Sequence, residues 1–498
     1  MTLRDGAATT EVDVLVVGAG LSGIGVASHV ARETPDQSML ILERRAAIGG
    51  TWDLFRYPGV RSDSDMYTFG YDFKPWHGTK VLADGASIRG YVEETAAENG
   101  LTDKIRFGRR VVRAEWSSAE GRWTVTAETE SGTETYVARF LAGCTGYYDY
   151  DNGFRPAFPG EESFEGTFVH PQFWPEDLDY AGKRVVVIGS GATAITLVPA
   201  MAEKAEHVTM LQRSPTYIMS LPSQDPVAVA LAKARVPLAT RYKIGRARNV
   251  ALQRGMYALS RSKPAVAKSI VLNALKLHLG RSVDIKHFTP SYNPWDQRLC
   301  VVPDGDLFKV LKSHKADVVT DHIETFTPKG IRLRSGQELE ADIVVTATGL
   351  VIQLAGGAEV VVDGEVVDTR DRMLYKGAMM TGVPNATFVI GYTNASWTLK
   401  ADLIARFFTR LIGTLAERPD EYAVVHADAD AYTEFSVLGE ALTSGYIQRG
   451  DAVMPRQGKK APFRQLNNYY ADVKQLKDDP AADGALEFCR SGAAVAAI

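Results

Sequence analysis

The sequence predicts an α/β chain built on two open, largely parallel sheets, with a helical region inserted into the second. Three observations predict it. A short apolar run, residues 13–17, closes on Gly18-Ala19-Gly20-Leu21-Ser22-Gly23 and opens into an apolar helical pattern. A second run, residues 183–188, closes on Gly189-Ser190-Gly191-Ala192-Thr193-Ala194 and does the same. Between these units and the C-terminus, residues 226–283 carry 12 Lys or Arg and no Asp or Glu, with Leu, Ala and Val recurring between the charges.

Bulk properties set the frame. At 498 residues the chain exceeds one simple core, so two or three domains are expected. It is 45% hydrophobic and 23% charged, which is ordinary for a globular protein. The net charge of −4 gives no global reason to expect nucleic acid as a partner. The three cysteines, Cys144, Cys300 and Cys489, lie far apart and form no C-x-x-C pair. Neither a zinc site nor a redox dithiol is indicated, no metal is expected, and a reduced cytoplasmic setting is the default. The N-terminal residues lack the apolar core of a signal peptide. Residues 185–202 carry no charge over 18 positions, but the Gly-Ser-Gly inside them reads as strand, tight turn and helix rather than a membrane span.

The first glycine turn meets each physical requirement of a dinucleotide site. Gly18 permits the tight turn, Gly20 lets backbone approach a pyrophosphate, and Gly23 lets the helix pack close to its strand. Free N–H groups at the helix start face the anion. A following strand, residues 39–42, ends at Glu43, 20 residues after Gly23, where an acid accepts from ribose hydroxyls. The second turn differs at the equivalent place. Its following strand, residues 207–212, ends in Arg213-Ser214. A cation there pairs with a 2′-phosphate that an acid would repel, so NADP is favoured over NAD. Two Rossmann-like dinucleotide-binding domains in one chain predict two cofactors, a flavin and the nicotinamide nucleotide that reduces it.

Further motifs carry a resemblance. Phe164, Gly166, His170 and Trp174 are spaced F-x-G-x-x-x-H-x-x-x-W, with Pro175 directly after, between the two turns. Residues 49–63 read G-G-x-W-x-x-x-x-Y-P-G-x-x-x-D. Both patterns resemble the fingerprints of the Baeyer–Villiger monooxygenases, flavoenzymes that insert one oxygen atom of O2 beside a ketone carbonyl. Residues 287–308 and 391–403 resemble in particular the mycobacterial members that activate a thioamide prodrug. The similarity covers most of residues 10–475. It implies FAD, NADPH and O2 as reactants, a ketone or sulfide as the small-molecule substrate, and Baeyer–Villiger oxidation of ketones to esters through a C4a-peroxyflavin, with S-oxygenation of thioethers and thioamides beside it. It implies that FAD is held by residues 1–150 and 346–498 and NADP by residues 151–345, the latter including a basic helical insertion at 222–290. Residues 142–148 and 342–349 resemble the outgoing and returning crossings between these parts.

Residue by residue, the resemblance implies flavin contacts at Thr51, Trp52, Asp53, Leu54, Arg61, Ser62 and Asp63, and an adenine contact at the backbone of Val111. Arg298, in the segment at 293–300, matches the arginine that points over the flavin. A permanent guanidinium there suits negative charge developing on a tetrahedral oxygen, and Asp63 is expected to hold it by an ion pair. His170 is read as a linker residue, not a general base. Many family members have Lys-Arg where this chain has Gln297-Arg298, which leaves more of the 2′-phosphate to Arg213.

Residues 397–415 show apolar positions at helical spacing and are expected to form a core helix. Residues after about 478 read as a loose tail. The basic stretch is read either as a solvated helical face or as a surface that contacts anionic lipid peripherally. The main rival function is a flavin monooxygenase acting only on N or S nucleophiles. A disulfide reductase lacks its cysteine pair, and a non-enzymatic, membrane-docking flavoprotein would leave Arg298 and the second turn without a purpose. The oligomeric state is open.

Overall fold

A computed structural model describes residues 9–78, 80–297, 299–428, 431–438, 444–477, 480 and 484–492. Arg298 therefore lies outside the described residues.

The first sheet has nine strands. Six come from the N-terminal part: β1 (Thr9–Val17), β2 (Met39–Glu43), β3 (Ile105–Phe107), β4 (Arg110–Ser117), β5 (Arg122–Thr129) and β6 (Gly132–Gly143). β6, β1, β2 and β3 run side by side in parallel, and β5 and β4 continue antiparallel from β6. β2 and the Val14–Val16 stretch of β1 are buried, as strands covered on both faces must be. Helix α1 (Leu21–Glu33) follows the first turn, and two single-turn helices, α2 (Thr51–Leu54) and α3 (Met66–Phe69), precede α4 (Gly85–Glu98).

The second sheet has five parallel strands: β7 (Thr167–Val169), β8 (Arg184–Ile188), β9 (His207–Gln212), β10 (Ala316–Thr320) and β11 (Ile343–Thr346), in the order β10-β9-β8-β11-β7. Helix α5 (Ala192–Met201) follows β8. The chain then returns to the first sheet through β12 (Glu359–Val362), β13 (Glu365–Val366) and β14 (Ala386–Phe388). The α/β architecture of two dinucleotide-type sheets expected from the two glycine turns is what the chain forms.

Between the sheet-two strands β9 and β10 the basic stretch folds into α6 (Pro226–Lys233), α7 (Leu238–Ser262) and α8 (Pro264–Leu279), before α9 (Asp306–Lys312). The insertion straddles the two sheets instead of belonging to the second alone. On α7, Tyr242 Oη donates to the carbonyl of Tyr71, and Arg246 donates to the carbonyls of Tyr67 and Gly70, all in the first part of the chain. Asn249 and Gln253 both reach the carboxylate of Asp65. By contrast α8 buries Leu275 and Leu279 in the core of the second sheet.

Helix α10 (Trp397–Ala416) lies against α1, with Phe407, Phe408, Leu411 and Leu415 buried, matching the expected core helix. The expected loose tail is corrected in part. Leu486–Arg490 is a strand that pairs antiparallel with Glu421–Val425, because Leu486 and Phe488 alternate onto the first core.

Candidate active site

The two glycine turns are built alike. Gly18 and Gly189 both have positive φ, 106° and 138°. A Cβ on Gly18 would lie 2.6 Å from the carbonyl oxygen of Cys144, and one on Gly189 would lie 2.3 Å from that of Ala347. These carbonyls belong to the two segments that cross between the sheets, so each crossing runs directly over a turn. A Cβ on Gly23 would sit 1.7 Å from the Gly18 carbonyl oxygen, which is why α1 can start only with glycine there. Neither α1 nor α5 has a side-chain cap or an acid in its first turn, so their leading N–H groups are left for an anion. A Cβ on Gly191 would meet nothing within 4 Å, which leaves its backbone open to a ligand.

Both turns open into a single cavity of about 960 Å³. From the first part of the chain it is lined by Gly18, Gly20, Ser22, Glu43, Thr51, Trp52, Arg61, Ser62, Asp63 and Val111. From the second it is lined by Gly189, Ser190, Gly191, Ala192, Thr193, Arg213 and Ser214. The residue types fit two dinucleotides: two anion-ready helix starts, one acid and one cation at the ends of the two second strands, and space for both ligands.

Glu43 is buried, and its carboxylate accepts from the N–H of Ala19 at 2.7 Å and of Arg45 at 2.8 Å. Burial pushes its carboxyl above the usual range, against these two hydrogen bonds. Ser22 Oγ accepts from the indole N–H of Trp397 at 2.7 Å, and that indole stacks on Tyr147 with ring centroids 5.0 Å apart. Ser190 Oγ binds the Ser214 carbonyl at 3.1 Å and Thr216 Oγ1 at 2.9 Å, tying the second turn to the end of β9. Arg213 itself is exposed, and no acid pairs with it among the described residues.

Several of the residues singled out in the sequence lie away from the cavity. Asp53 and Leu54 do not line the cavity. α2 turns them inward, where the Asp53 carboxylate meets Arg45 at 2.7 Å, Arg56 at 2.5 Å and Arg89 at 3.4 Å. Three guanidiniums occupy the acid, so it fixes the loop instead of facing a ligand. Gly23 and Ala194 are packing positions, not cavity walls. The Phe164, Gly166, His170 and Trp174 set also stays off the cavity. Phe164 stacks edge-on to Phe168 and Phe326, Gly166 passes under Phe164, and Trp174 leans on the core of the second sheet. His170 Nδ1 accepts from the Gln172 N–H at 3.2 Å, its ring sits over Gly153, and burial lowers its pKa.

Asp63 lines the cavity, and among the described residues its carboxylate accepts only from Ser64 Oγ, at 3.5 Å. Gln297 and Cys300, on either side of Arg298 in sequence, line the same cavity. Arg61 makes an ion pair with Asp306 of α9 at 2.7 Å, bridging the two halves. Sequence reasoning missed Arg449, a cavity-wall cation whose guanidinium lies 3.4 Å from the Phe154 ring centroid. No local motif marks it, because it arrives from a distant part of the chain.

The flavin-binding monooxygenase-like family matches residues 11–273. The chain belongs to that family. It is 54% identical to a protein of Mycobacterium tuberculosis named as the FAD-containing monooxygenase MymA, over 96% of this chain and 97% of that one. It is 53% identical to a protein of Acinetobacter named as the FAD-binding monooxygenase AlmA, over 97% of each. It is 47% identical to the FAD-containing monooxygenase EthA of Mycobacterium tuberculosis, over 98% of this chain and 99% of that one. Among solved structures, an oxidised steroid monooxygenase bound to NADP superposes with a TM-score of 0.77 at 25% identity, covering 97% of this chain and 100% of that one. An open form of cyclohexanone monooxygenase shares the fold with a TM-score of 0.75 at 21% identity, covering 96% and 100%. The chain is an enzyme, a monooxygenase of the flavin-dependent kind.

Proposed function

We propose that this enzyme is an FAD-containing, NADPH-dependent Baeyer–Villiger monooxygenase that oxidises ketones to esters and also S-oxygenates thioethers and thioamides. The observation that carries the reading is that both dinucleotide turns, Asp63 and the residues flanking Arg298 belong to one cavity. The FAD-binding part would comprise residues 1–150 and 346–498, and the NADP-binding part residues 151–345. FAD, when bound and reduced, supplies the activation of O2.

The remaining roles belong to the chain's own residues. The N–H groups at the start of α1 would face the FAD pyrophosphate, and Glu43 would accept from its ribose. The N–H groups of α5 would face the NADP pyrophosphate, and Arg213 would pair with the 2′-phosphate. Gln297, uncharged, adds no charge to that contact. Arg298 would stabilise negative charge on the substrate's carbonyl oxygen, since a guanidinium stays charged at any working pH. Asp63, without a cation partner among the described residues, has a carboxylate free to orient it. Apolar walls at Trp52, Phe55, Phe69 and Trp397 would exclude water from the reacting centre.

The second reading, oxygenation of N or S nucleophiles alone, needs no group to bind a carbonyl. Product analysis separates the two. Offered a long-chain 2-ketone and an aryl methyl sulfide with NADPH in air, the enzyme is expected to give ester and sulfoxide. Arg298→Ala is expected to lower ester formation by about 10²–10³-fold while flavin reduction by NADPH persists. Sulfoxide without ester from the unmodified enzyme, or undiminished ester from the variant, would remove the ketone assignment.

A further inference from the structure

We propose that the outward face of α8 docks the enzyme on an anionic phospholipid bilayer. α8 has two apolar faces. Ala267, Val271, Leu275 and Leu279, at four-residue intervals, are buried against the protein. Val266, Ile270 and Leu277 point the other way and are 47%, 45% and 87% exposed. A helix that packs on one side only should be polar on the other, and this one is not. A single exposed apolar residue is ordinary, but three on one stripe of one helix form a patch that marks a contact site.

The charges say what covers them. The inward cations of the insertion are held by the protein: Arg246 pairs with Asp402, Arg248 with Asp225, and Lys268 donates to the Pro290 carbonyl. Lys263, Lys276 and Arg281, on or beside α8, are exposed and have no acidic partner among the described residues, whereas exposed Arg261 at the end of α7 pairs with Asp296. Residues 226–283 hold 12 cations and no acid, while the whole chain is at −4. A second copy of this face would set cation against cation, which disfavours a symmetric dimer. Nucleic acid would use the cations but leave the apolar residues in water. An anionic bilayer satisfies both, taking the apolar side chains at the acyl boundary and the cations at the headgroups. Among the described residues no helix is long and apolar enough to cross a membrane, so the contact is peripheral.

The test uses the full-length, FAD-loaded enzyme sedimented at low salt with vesicles of phosphatidylcholine alone or enriched in phosphatidylserine. Pelleting with the anionic vesicles only, reversed by added salt, is expected. A triple charge reversal, Lys263→Glu, Lys276→Glu and Arg281→Glu, should weaken partitioning about a hundredfold or more. Leu277→Asp should also weaken it, by removing an apolar contact and adding a negative charge to the face. None of these residues lines the cavity, so NADPH oxidation without vesicles should be unchanged, which reports that the variants fold. Equal partitioning on both vesicle types, or full binding by the triple variant, would overturn the proposal. So would a Leu277→Asp variant that turns an oligomer into a monomer while the parent ignores lipid, since the face would then be a subunit contact.

Discussion

At the scale of single residues, the two dinucleotide turns are distinguished by the side chain at the end of the second strand of each unit. Glu43 is buried and hydrogen-bonded by two backbone N–H groups, so it is held rigidly, with lone pairs to spare. Arg213 is exposed and without an acid among the described residues, so its charge is available. A charged hydrogen bond contributes about 1.5–3 kcal/mol. Arg213→Ala is therefore expected to raise KM for NADPH roughly 10–100-fold and leave KM for NADH nearly unchanged. Steady-state kinetics with both nucleotides check this, and equal effects would mean that another group reads the 2′-phosphate. Asp53 shows the opposite case. It sits in the middle of a ligand-type motif, yet three arginines claim its carboxylate.

At the scale of elements, each site depends on how closely a helix can start after its strand. The tightest point is Gly23, whose missing Cβ leaves room for the Gly18 carbonyl. Gly23→Ala places a methyl 1.7 Å from that backbone oxygen, and no side chain can yield to relieve it. α1 must move away from β1. The expected cost is about 1–3 kcal/mol of stability, with reduced flavin content per chain. Thermal unfolding and the flavin-to-protein absorbance ratio read the two effects, and a variant with normal values in both would show that the helix start is not set by this contact. The same logic explains α8, whose four-residue buried repeat was legible as helix, while its apolar outer stripe shows only once the packed side is known.

At the scale of the whole molecule, a buried polar network joins α1, the segment after α3, α10 and the insertion. His29 Nδ1 bonds Glu33 at 2.8 Å, and its Nε2 lies 3.8 Å from Asp402. Asp402 also meets Arg246 at 3.2 Å and accepts from the Asp72 N–H at 3.0 Å, and Asp72 pairs with Arg406. The three cations and three acids balance. Burial alone would lower the His29 pKa, but the nearby charge of Asp402 and the hydrogen bond and charge of Glu33 outweigh that and raise it to about 9. The His29 hydrogen bond holds Glu33 down at about 2. The folded value for His29 exceeds its ordinary 6.5, so its stabilising contribution is complete below about pH 6.5 and is lost as pH rises through about 9. The contribution is on the order of 3 kcal/mol. Stability measured by denaturant titration should fall across that interval, and His29→Gln should flatten the fall. A slope identical in the variant would assign the pH dependence elsewhere. Because Arg246 comes from α7, loosening this network should also loosen the insertion.

The sequence by itself determined the two glycine turns, the strands and helices around them, the acid at Glu43 and the cation at Arg213. These are local signals, since each needs only a short stretch of chain with a fixed spacing and a backbone requirement. It determined α10 and the helical nature of residues 226–283 for the same reason. Tertiary structure alone decided that both turns face one cavity, because that depends on the crossings over Gly18 and Gly189, between residues more than a hundred positions apart in the chain. It decided that Asp53 and Leu54 turn away from the cavity while Thr51 and Trp52 face it, a matter of the pitch of one helical turn and of Arg45, Arg56 and Arg89 converging on one carboxylate. It placed the Phe164, Gly166, His170 and Trp174 set in packing contacts around the second sheet, apart from the cavity. It also made residues 486–490 a strand, through a partner some sixty residues earlier. Spacing fixes what a short segment can do, and only packing fixes which side of it is left facing a ligand, a neighbour or the solvent.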